Sequence, residues 1–459
     1  MIEKIVIANR GEIAVRIIRS CREMGIRSVA LFSEADRMSK HVMLADEAYP
    51  IGPAPSKESY LDVDKIIETA LKCGADAVHP GYGFLSENAG FARKCEVAGI
   101  TFIGPRAETI ERMGDKISAR RSMTEAGVPV VPGIQRQLES ATEAERICRE
   151  IGLPVILKAA SGGGGKGMRL IRSESEIGEA YAAAKSEALS SFGDETVYIE
   201  KYIEEPHHIE FQILGDAHGN IVHLYDRECS VQRRHQKIVE ESPSPFLTDE
   251  LRQEMGKTAA AAARAVGYVG AGTIEFLVDK NRNFYFLEMN TRLQVEHPVT
   301  EEVLGLDLVK EQIYIASGRP LHLRQTDIVQ RGHSIECRIC AEDADNGFMP
   351  SPGLVKQVTE PNGLGIRIDS YIYEGYEIPV YYDPMISKLI VRATTREYAV
   401  QRMRAALDEY KVTGIKTNIS YLNAIMHTPD FVRGGYDTAF LEKNEKIIHR
   451  YLREPFPAG

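Results

Sequence analysis

The chain has 459 residues, of which 43% are hydrophobic and 27% charged, so it is long enough to form two to four domains with substantial cores. Its net charge of −10 comes without a sustained basic run, which argues against binding to nucleic acid or to an anionic membrane surface. The seven cysteines indicate free thiols in a reducing compartment, and no apolar stretch reaches the length of a membrane span. We therefore expect a cytoplasmic protein.

The first hundred residues alternate short apolar runs with amphipathic stretches. Strand-like runs lie at 4–8, 28–32, 77–79 and 101–103, and the segments between them carry apolar side chains at helical spacing. This alternation predicts an N-terminal doubly wound parallel sheet, so the fold class of this part is α/β.

The remainder of the chain is predicted to be α+β. A helix at 116–126, a Pro- and Gly-punctuated connection and a strand at 154–160 predict a small separate domain. An antiparallel set of strands follows, interrupted by an Ala-rich helix at 251–266, and the last part predicts a mixed, β-rich domain with a late helix at 396–410. The strands expected in these two parts are 209–214, 221–225, 273–278, 284–289, 335–339, 353–359 and 387–392.

Two glutamates stand on neighbouring strand-like runs. Glu275 lies within 272–278 and Glu288 within 284–290, and the turn-prone stretch 279–283 joins the runs, so a hairpin would set the two carboxylates opposite each other. Like charges directly opposite destabilise a sheet by a few tenths to about 1 kcal/mol, so the pair calls for a compensating cation. Two carboxylates plus bound phosphates are the usual protein provision for Mg²⁺. Two solvated glutamates on a surface hairpin are an equal interpretation at this point.

A glycine-rich stretch, SGGGGKGM at 161–168, follows a predicted strand and can bring backbone N–H groups against phosphate oxygens, with Lys166 adding a positive charge. A dinucleotide fingerprint would open a helix, whereas residues 168–172 have a strand pattern, and a Walker A loop would need a Ser or Thr after the lysine. A hairpin that closes as a lid over a nucleotide is therefore predicted. A flexible linker is the alternative, which the flanking cations Lys158, Lys166 and Arg169 disfavour.

Five longer stretches combine glycine, amide and charged residues in a fixed order. They are ANRGEIA (8–14), HPGYGFLSEN (79–88), QRRHQK (232–237), EMNTRLQVEHP (288–298) and IECRI (335–339). With the glycine loop and the facing glutamates they resemble the biotin carboxylase family of the ATP-grasp superfamily, and the likeness covers nearly the whole chain. The resemblance implies a Rossmann-like N-terminal domain (1–115), an ATP-grasp part with the glycine-loop lid (116–204), an ATP-grasp catalytic sheet (205–332) and a C-terminal domain (333–459).

The resemblance also implies which residues bind the nucleotide and its metal. The residues expected around ATP are Lys116, Lys158, Gly164, Gly165, Glu200, Lys201, Tyr202, Ile203, His208, Gln232, His235, Glu275 and Glu288. The ligands expected for Mg²⁺ or Mn²⁺ are Glu275, Glu288 and Asn290.

Roles in the chemistry follow from the same resemblance. The residues expected to bind bicarbonate are Lys237, Arg292, Gln294 and Val295. Glu296 is expected to be the general base, Arg338 to face the ureido oxygen of biotin, and Tyr82 to border the biotin pocket. The catalytic set is therefore Glu296, Arg292, Arg338 and Lys237.

The residue types suit this chemistry. Polar and apolar residues alternate between Glu288 and Glu296, apart from Thr291, so an extended chain would place the polar side chains on one face. A guanidinium such as that of Arg292 can hold planar bicarbonate through two parallel bonds, and its charge would keep Glu296 ionised. Attack of bicarbonate on the γ-phosphorus would give carboxyphosphate, whose breakdown delivers CO₂ to biotin while Arg338 stabilises the enolate oxygen.

The resemblance further implies partners. Carrier domains of this family hold biotin on the lysine of a Met-Lys-Met tripeptide, which is absent here, so biotin is expected on a separate biotin carboxyl carrier protein. The chain would be a homodimeric subunit that works with carboxyltransferase subunits. Acetyl-CoA or a related acyl-CoA is the first expectation for the acceptor, with pyruvate and propionyl-CoA as alternatives.

Two rival functions stay open from the sequence. The first is another ATP-grasp ligase that forms an acyl phosphate, such as a carbamoyl-phosphate synthase-like enzyme or a purine-pathway carboxylase, which the segment 82–88 and the surroundings of Arg338 disfavour. The second is a catalytically silent nucleotide-binding subunit, which the presence of base, metal-ligand and anion-binding residues disfavours.

Overall fold

A computed structural model of the chain describes residues 2–134, 136–160 and 168–453. The N-terminal elements are β1 (Lys4–Ile7), α1 (Gly11–Glu23), β2 (Arg27–Ser33), α2 (Lys40–Leu44), β3 (Glu47–Gly52), α3 (Val63–Lys72), β4 (Ala77–His79), α4 (Ala89–Val97), β5 (Thr101–Phe102) and α5 (Ala107–Gly114). The five strands form one parallel sheet in the order β3-β2-β1-β4-β5. This arrangement confirms the predicted alternation of strands and helices.

Helices cover both faces of the parallel sheet. Ile5 of β1 packs with Ile17 of α1 on one face, whereas Val6 packs with Ile66 of α3 and Phe91 of α4 on the other. Adjacent strand residues point to opposite faces, so a strand buried on both sides needs a continuous apolar run, as β1 has. The doubly wound sheet predicted from the sequence is confirmed.

A smaller unit follows, built on the three-stranded antiparallel sheet β7-β6-β8. Its elements are α6 (Lys116–Glu125), α7 (Ala141–Ile151), β6 (Val155–Ala159), β7 (Met168–Ile171), α8 (Ile177–Phe192) and β8 (Val197–Lys201). Lys158 pairs with Met168 across β6 and β7, so the predicted hairpin is present. The glycine loop that joins these strands, with Gly164 and Gly165, lies in 161–167 and outside the described residues.

The central part of the chain contributes five strands to one large antiparallel sheet. Its elements are β9 (His207–Gly215), β10 (Ile221–Arg233), β11 (Gln236–Ser242), α9 (Asp249–Ala265), β12 (Gly270–Val278), β13 (Phe284–Asn290), α10 (His297–Leu304) and α11 (Leu308–Ala316). The apolar face of α9, including Met255 and Ala259, packs on Phe211 and Phe276 of the sheet. Strand β10 extends past the predicted 221–225, and β11 was not predicted, because neither segment has a clean apolar alternation.

The C-terminal part adds three strands to the same sheet. Its elements are β14 (His333–Cys340), β15 (Glu342–Asp343), β16 (Met349–Pro350), β17 (Gly353–Leu354), β18 (Gln357–Thr359), β19 (Ile366–Ser370), β20 (Glu377–Ile378), β21 (Met385–Ala393), α12 (Arg396–Glu409), β22 (Lys411–Thr413), α13 (Ile419–His427), α14 (Pro429–Arg433) and α15 (Phe440–Arg453). The full strand order is β13-β12-β9-β10-β11-β14-β21-β19. This sheet crosses the predicted boundary between 205–332 and 333–459, and the four-domain division stays a prediction.

Two sequence-based expectations about extended segments are wrong. The strand predicted at 353–359 is two short strands, because β17 pairs with β20 and β18 pairs with β22. Residues 288–296 do not form one extended face, because β13 ends at Asn290, its last residue paired with β12, and α10 begins at His297. Beyond Asn290 the backbone N–H and hydroxyl of Thr291 bond the Glu87 carboxylate instead of a neighbouring strand.

In the described part of the chain, none of the helices combines the length and apolar character that a membrane crossing requires. All seven cysteines lie in the described ranges and are unpaired thiols, as the sequence predicts. Six of them are buried and Cys340 is half-buried, so they behave as small core residues.

A buried carboxyl pair sits where β11 meets β14. Glu240 and Glu336 are directly opposite in the register, and among the described residues no group hydrogen-bonds either carboxylate oxygen of Glu336. Burial raises the pKa of Glu336 well above its ordinary value, and although Lys388 opposes this shift, the charge of Glu240 adds to it. At a pH between the unfolded and the folded pKa of Glu336, the folded protein therefore holds a proton that the unfolded chain has lost.

This proton uptake predicts that Glu336→Gln stabilises the protein more at high pH than at low pH. A group with a raised pKa costs stability as the pH rises above its unfolded value of about 4.3, so the melting temperature of the variant minus that of the unmodified protein should increase from about pH 5 to about pH 8. Differential scanning fluorimetry across this range measures the difference. A difference that does not change with pH would contradict the assignment.

Glu241→Gln is the matched control on the same strand. Although burial opposes ionisation, Arg396 lowers the pKa of Glu241 to about 2, so its stabilising ion pair is complete at both pH values. This variant should therefore lower the melting temperature at both about pH 5 and about pH 8.

Candidate active site

An open cleft of about 1500 Å³ runs between the parallel sheet, the small unit and the large antiparallel sheet. The predicted site residues that line it are Tyr82, Lys158, Glu200, Lys201, Tyr202, Ile203, His208, Gln232, His235, Lys237, Glu275, Glu288, Asn290, Arg292, Gln294, Val295, Glu296 and Arg338. Residues separated by hundreds of positions thus meet in one place. Within the described residues, Lys116 is the predicted site residue that does not line the cleft itself.

The hairpin β12–β13 holds the two predicted metal-binding glutamates. Glu275 pairs directly with Glu288 in the register, and a bulge follows Glu275. Burial and then repulsion from Glu275 raise the pKa of Glu288, although the Lys116 ammonium opposes this shift. An extra positive charge near Glu288 would relieve this repulsion.

Glu275 is the more strongly stabilised carboxylate of the two. Its Oε2 lies 2.8 Å from His208 Nε2, and its Oε1 accepts bonds from Asn290 Nδ2 at 2.9 Å and Gln294 Nε2 at 3.1 Å. Although burial opposes ionisation, Lys237 and His208 lower the pKa of Glu275. Although burial opposes the charge of His208, the charge and hydrogen bond of Glu275, together with the charge of Glu210, raise the pKa of this imidazole.

Gln232 continues this line of contacts toward the strand β10. Its side-chain Nε2 lies 2.9 Å from His208 Nδ1 and 2.9 Å from the carbonyl oxygen of Cys229. The amide therefore supports the imidazole from the side opposite Glu275. His235 lies nearby in the turn between β10 and β11, where its φ of +64° is in the left-handed region.

Lys237 lies among the residues of the cleft that are predicted to be catalytic. Its ammonium lies 2.6 Å from Glu210 Oε2, 2.9 Å from Glu275 Oε1 and 2.6 Å from Glu296 Oε1. Although burial opposes its charge, the three carboxylates raise the pKa of Lys237 well above its ordinary value. The lysine thus remains charged and holds three mutually repelling groups together.

Glu296 is fully buried and each of its oxygens contacts a different cation. Oε1 faces Lys237, and Oε2 lies 2.9 Å from the Arg338 guanidinium. Although burial opposes ionisation, Lys237, Arg338 and then Arg227 lower its pKa well below the ordinary glutamate value. The carboxylate form of the predicted base is therefore favoured by these cations, and not by Arg292 as predicted from the sequence.

Arg292 instead stabilises the turn that follows β13 through three side-chain contacts. Its Nε lies 2.8 Å from Glu87 Oε2, its Nη1 donates to Gln294 Oε1 at 2.8 Å, and its Nη2 donates to Asn290 Oδ1 at 2.9 Å. The irregular turn thus brings together polar side chains that were predicted to share one strand face. Their convergence is confirmed, although its predicted mechanism is wrong.

The opposite end of the cleft carries the predicted nucleotide residues. Glu200 of β8 contacts Arg120 and lies 2.7 Å from Lys158 Nζ, and Lys201 Nζ donates to the carbonyl oxygens of Gly152 and Leu153. Tyr202 and Ile203 follow on the chain leaving β8.

Lys116 begins α6, next to this end of the cleft. Burial lowers its pKa, and although Glu288 opposes this shift, the charge of Lys158 adds to it. Anionic phosphates would reverse this effect, because they favour the charged form of both lysines.

The residues present fit a divalent cation. Glu275, Glu288 and Asn290 offer oxygen ligands of the type that Mg²⁺ and Mn²⁺ prefer, and a cation beside Glu288 would offset the burial and the repulsion from Glu275 that raise its pKa. In the described ranges, the sets of three or more acidic, histidine or cysteine residues that come within ligand distance of one another are His208–Glu210–Glu275 and Glu210–Cys229–Glu296. Lys237 contacts all three of their glutamates, so an ammonium already compensates this charge.

Several residues of the site were missed from the sequence. Glu210 alternates with His208 and Gln212 along β9, so the period of two was a usable signal. Glu12 and Glu87 lie inside quoted motifs but received no role. Arg227, which is fully buried, contacts Glu210 Oε1 at 2.5 Å and offered no sequence signal, because only the sheet brings it there.

Comparisons with known proteins agree with this geometry. Three family models match the chain in succession: the biotin carboxylase N-terminal domain at 1–110, the ATP binding domain of the carbamoyl-phosphate synthase L chain at 115–324, and the biotin carboxylase C-terminal domain at 336–443. Biotin carboxylase 1 of Bacillus subtilis is 54% identical over 96% of this chain and 98% of its own length. A pyruvate carboxylase subunit of Methanothermobacter thermautotrophicus is 54% identical over 99% of this chain and 92% of its own length.

A solved structure gives the same result in three dimensions. The biotin carboxylase domain dimer of 2-oxoglutarate carboxylase from Hydrogenobacter thermophilus, in complex with MgADP, ADP and bicarbonate, superposes with a TM-score of 0.93 at 51% identity. The match covers 98% of this chain and 99% of that one. With matching domain models, near full-length relatives and an ATP-grasp fold built around one polar cleft, the chain belongs to the biotin carboxylase family of ATP-dependent ligases.

Proposed function

We propose that the chain catalyses the ATP- and bicarbonate-dependent carboxylation of biotin carried on a separate biotin carboxyl carrier protein. The observation that carries this proposal is the ionised Glu296, held between Lys237 on the side of the hairpin glutamates and Arg338 on the opposite side. A base at the junction of two polar subsites suits a reaction that first activates bicarbonate and then transfers its carbon.

The nucleotide would lie between the small unit and the hairpin β12–β13. We assign its binding to Lys116, Lys158, Glu200, Lys201, Tyr202, Ile203, His208, Gln232 and His235, with Gly164 and Gly165 as lid residues from outside the described ranges. Mg²⁺ or Mn²⁺ held by Glu275, Glu288 and Asn290 would neutralise charge on the phosphates. The related 2-oxoglutarate carboxylase domain, described as a complex with MgADP and bicarbonate, supports these ligands.

Bicarbonate would bind beside Glu296. Arg292, Gln294, Lys237 and the backbone at Val295 are the proposed anion contacts, and all of them line the cleft. The cations that keep Glu296 ionised also weaken it as a base, so an anion that draws Lys237 away raises its basicity. Glu296 then removes the bicarbonate proton, and the oxygen attacks the γ-phosphorus to form carboxyphosphate and ADP.

Biotin would lie toward Arg338 and Tyr82. Breakdown of carboxyphosphate releases CO₂ and phosphate, and the phosphate takes the proton from the ureido nitrogen of biotin as it attacks CO₂. The Arg338 guanidinium stabilises the negative charge that develops on the ureido oxygen. Because Glu240 Oε1 lies 2.6 Å from Arg338, this strand pairing fixes the direction of the guanidinium.

Two classes of acceptor are proposed for the carboxyl group. Acetyl-CoA or a related acyl-CoA is our first candidate, which would place the reaction at the start of fatty acid biosynthesis. A 2-oxo acid such as pyruvate is the second, because the matched relatives include part of a pyruvate carboxylase and a 2-oxoglutarate carboxylase domain. A homodimer is proposed as well, since the latter domain is described as a dimer.

Glu296→Gln tests the proposed base. Loss of a general base costs about 10²–10⁴-fold, so bicarbonate-dependent ATP cleavage in the presence of biotin should fall by this factor while MgATP binding persists. Coupled ADP release and isothermal titration calorimetry measure the two quantities. Glu179→Gln, on the exposed face of α8, is the control and should retain full activity. Unchanged turnover in Glu296→Gln would favour a catalytically silent nucleotide-binding protein, and ATP cleavage indifferent to biotin would favour another ATP-grasp ligase.

Glu288→Gln tests the proposed metal site. Removing one ligand charge should raise the Mg²⁺ concentration needed for half-maximal activity at least about tenfold, because carboxylate charge supplies most of the attraction for a hard cation. Titration of activity with Mg²⁺ at fixed ATP measures this shift. Glu254→Gln, exposed on α9, should not change the titration. An unshifted midpoint in Glu288→Gln would remove this residue from the metal site.

Copurification tests the proposed partners. The tagged chain should retain a biotinylated carrier protein and a carboxyltransferase, and the substrate of that carboxyltransferase identifies the acceptor. Transfer of ¹⁴C from bicarbonate to acetyl-CoA, propionyl-CoA or pyruvate by the recovered complex measures it. Labelling of pyruvate alone would overturn the acyl-CoA proposal and leave the biotin half-reaction intact.

A further inference from the structure

Lys388 of β21 is a fully buried lysine that does not line the cleft. A buried ammonium is costly unless it is paired, and this one meets three oxygens. Its Nζ donates to the carbonyl oxygen of Val295 at 2.8 Å, lies 3.3 Å from Glu12 Oε1 and 4.0 Å from Asp369 Oδ2. None of the proposed catalytic steps uses this charge.

The partners of Lys388 belong to opposite sides of the site. Val295 directly precedes the base Glu296 on the turn after β13, so a bond to its carbonyl oxygen restrains the backbone of that turn. Glu12 of α1 accepts a hydrogen bond from the Tyr82 hydroxyl, on the wall proposed for biotin. One ammonium therefore links the turn that carries the proposed bicarbonate contacts to the wall proposed for biotin.

The sheet register also places Lys388 beside Arg338, the residue proposed to face biotin. Lys388 is directly opposite Arg338 in the pairing of β21 with β14, and directly opposite Asp369 in the pairing of β21 with β19. Opposite residues of an antiparallel pair share one face of the sheet. Arg367 contacts Asp369 with bonds of 3.1 and 2.8 Å, so the far partner of Lys388 is itself restrained.

The charge of Lys388 also bears on the state of Glu12. Burial raises the pKa of Glu12 to about 7, and the Lys388 ammonium is the main opposing influence. Without that ammonium, Glu12 would be largely protonated at neutral pH and would accept only a weaker hydrogen bond from Tyr82. A change at Lys388 is thus transmitted to the biotin wall through Glu12.

We propose that Lys388 is a positioning residue that aligns the Val295–Glu296 turn with Tyr82, so that carbon dioxide formed on the anion side is released facing biotin. This inference rests on the proposed function. Its consequence is specific: loss of Lys388 should impair transfer to biotin more than it impairs the cleavage of ATP that precedes it. A lysine needed only for folding would lower both activities equally.

Lys388→Met removes the charge at nearly constant volume. We expect the ratio of ATP cleaved to carboxybiotin formed to rise at least about threefold, and the KM for free biotin to rise about tenfold, since small misplacements in a site can cost up to about 100-fold in rate. Both quantities come from parallel assays of ADP and of acid-labile ¹⁴C on biotin. A ratio and a KM equal to those of the unmodified enzyme would overturn the proposal.

Lys4→Met is the matched control, because Lys4 is also buried and bonds one carbonyl and one carboxylate. Its Nζ lies 2.8 Å from the Cys73 carbonyl oxygen and 2.6 Å from Glu47, outside the cleft. This variant can lose stability but should keep the ratio of ATP to carboxybiotin. A rise in the ratio for Lys4→Met as well would assign the effect to general loosening and overturn the proposal.

Tyr82→Phe and Glu12→Gln complete the test. If Lys388 acts on Tyr82 through Glu12, the fall in kcat/KM for biotin in Lys388→Met with Tyr82→Phe should be smaller than the product of the single falls. A fall in kcat/KM of the double variant that equals the product of the single falls would contradict a connection between Lys388 and Tyr82. Should Lys388→Met fail to fold, Glu12→Gln, which retains an acceptor for Tyr82 but not its charge, must raise the ratio by itself. An unmodified enzyme without bicarbonate-dependent ATP cleavage would instead refute the proposed function.

Discussion

The site depends on one buried ammonium surrounded by three carboxylates. Two unit charges about 4 Å apart interact by about 4 kcal/mol at an effective dielectric constant of about 20, so Lys237 offsets much of the repulsion among Glu210, Glu275 and Glu296. Arg227 and Arg338 contact the outer oxygens of Glu210 and Glu296. The result is a chain of alternating charges in which each carboxylate lies against at least one cation.

The continuous large sheet brings these charged side chains together. Strands β9, β10, β11, β12 and β14 each contribute a member, because hydrogen-bonded strands hold facing side chains at separations of a few ångströms. Arg338 meets Glu240 across the pairing of β11 with β14, which joins residues 98 positions apart in the chain. A division of the chain at residue 332 would cut through this pairing. The small three-stranded unit and the N-terminal sheet then enclose the cleft from two sides.

Much of the candidate site could be predicted from the sequence, because the patterns that indicate it lie within short segments of the chain. The hairpin of Glu275 and Glu288 followed from two apolar alternations and a polar turn, and the register confirms it. The pairing of β6 with β7 followed from a strand, a glycine run and a strand, and the role of this hairpin as a lid stays a prediction. The expectation for 288–296 failed for an equally local reason: alternation implies one face only while a neighbouring strand continues to pair, and β13 loses its partner at Asn290.

The sequence by itself determined the class of this protein, the strand and helix alternation, the facing carboxylates and the family motifs, because these depend on neighbours along the chain. Only the tertiary structure decided which charges meet. It showed that Glu296 contacts Lys237 and Arg338 and that Arg292 contacts Glu87, and it revealed Glu210, Arg227 and Lys388. The physical reason is that an ion pair forms wherever the sheet register and the packing of helices bring two side chains within a few ångströms, and neither is encoded in the spacing of residues along the chain.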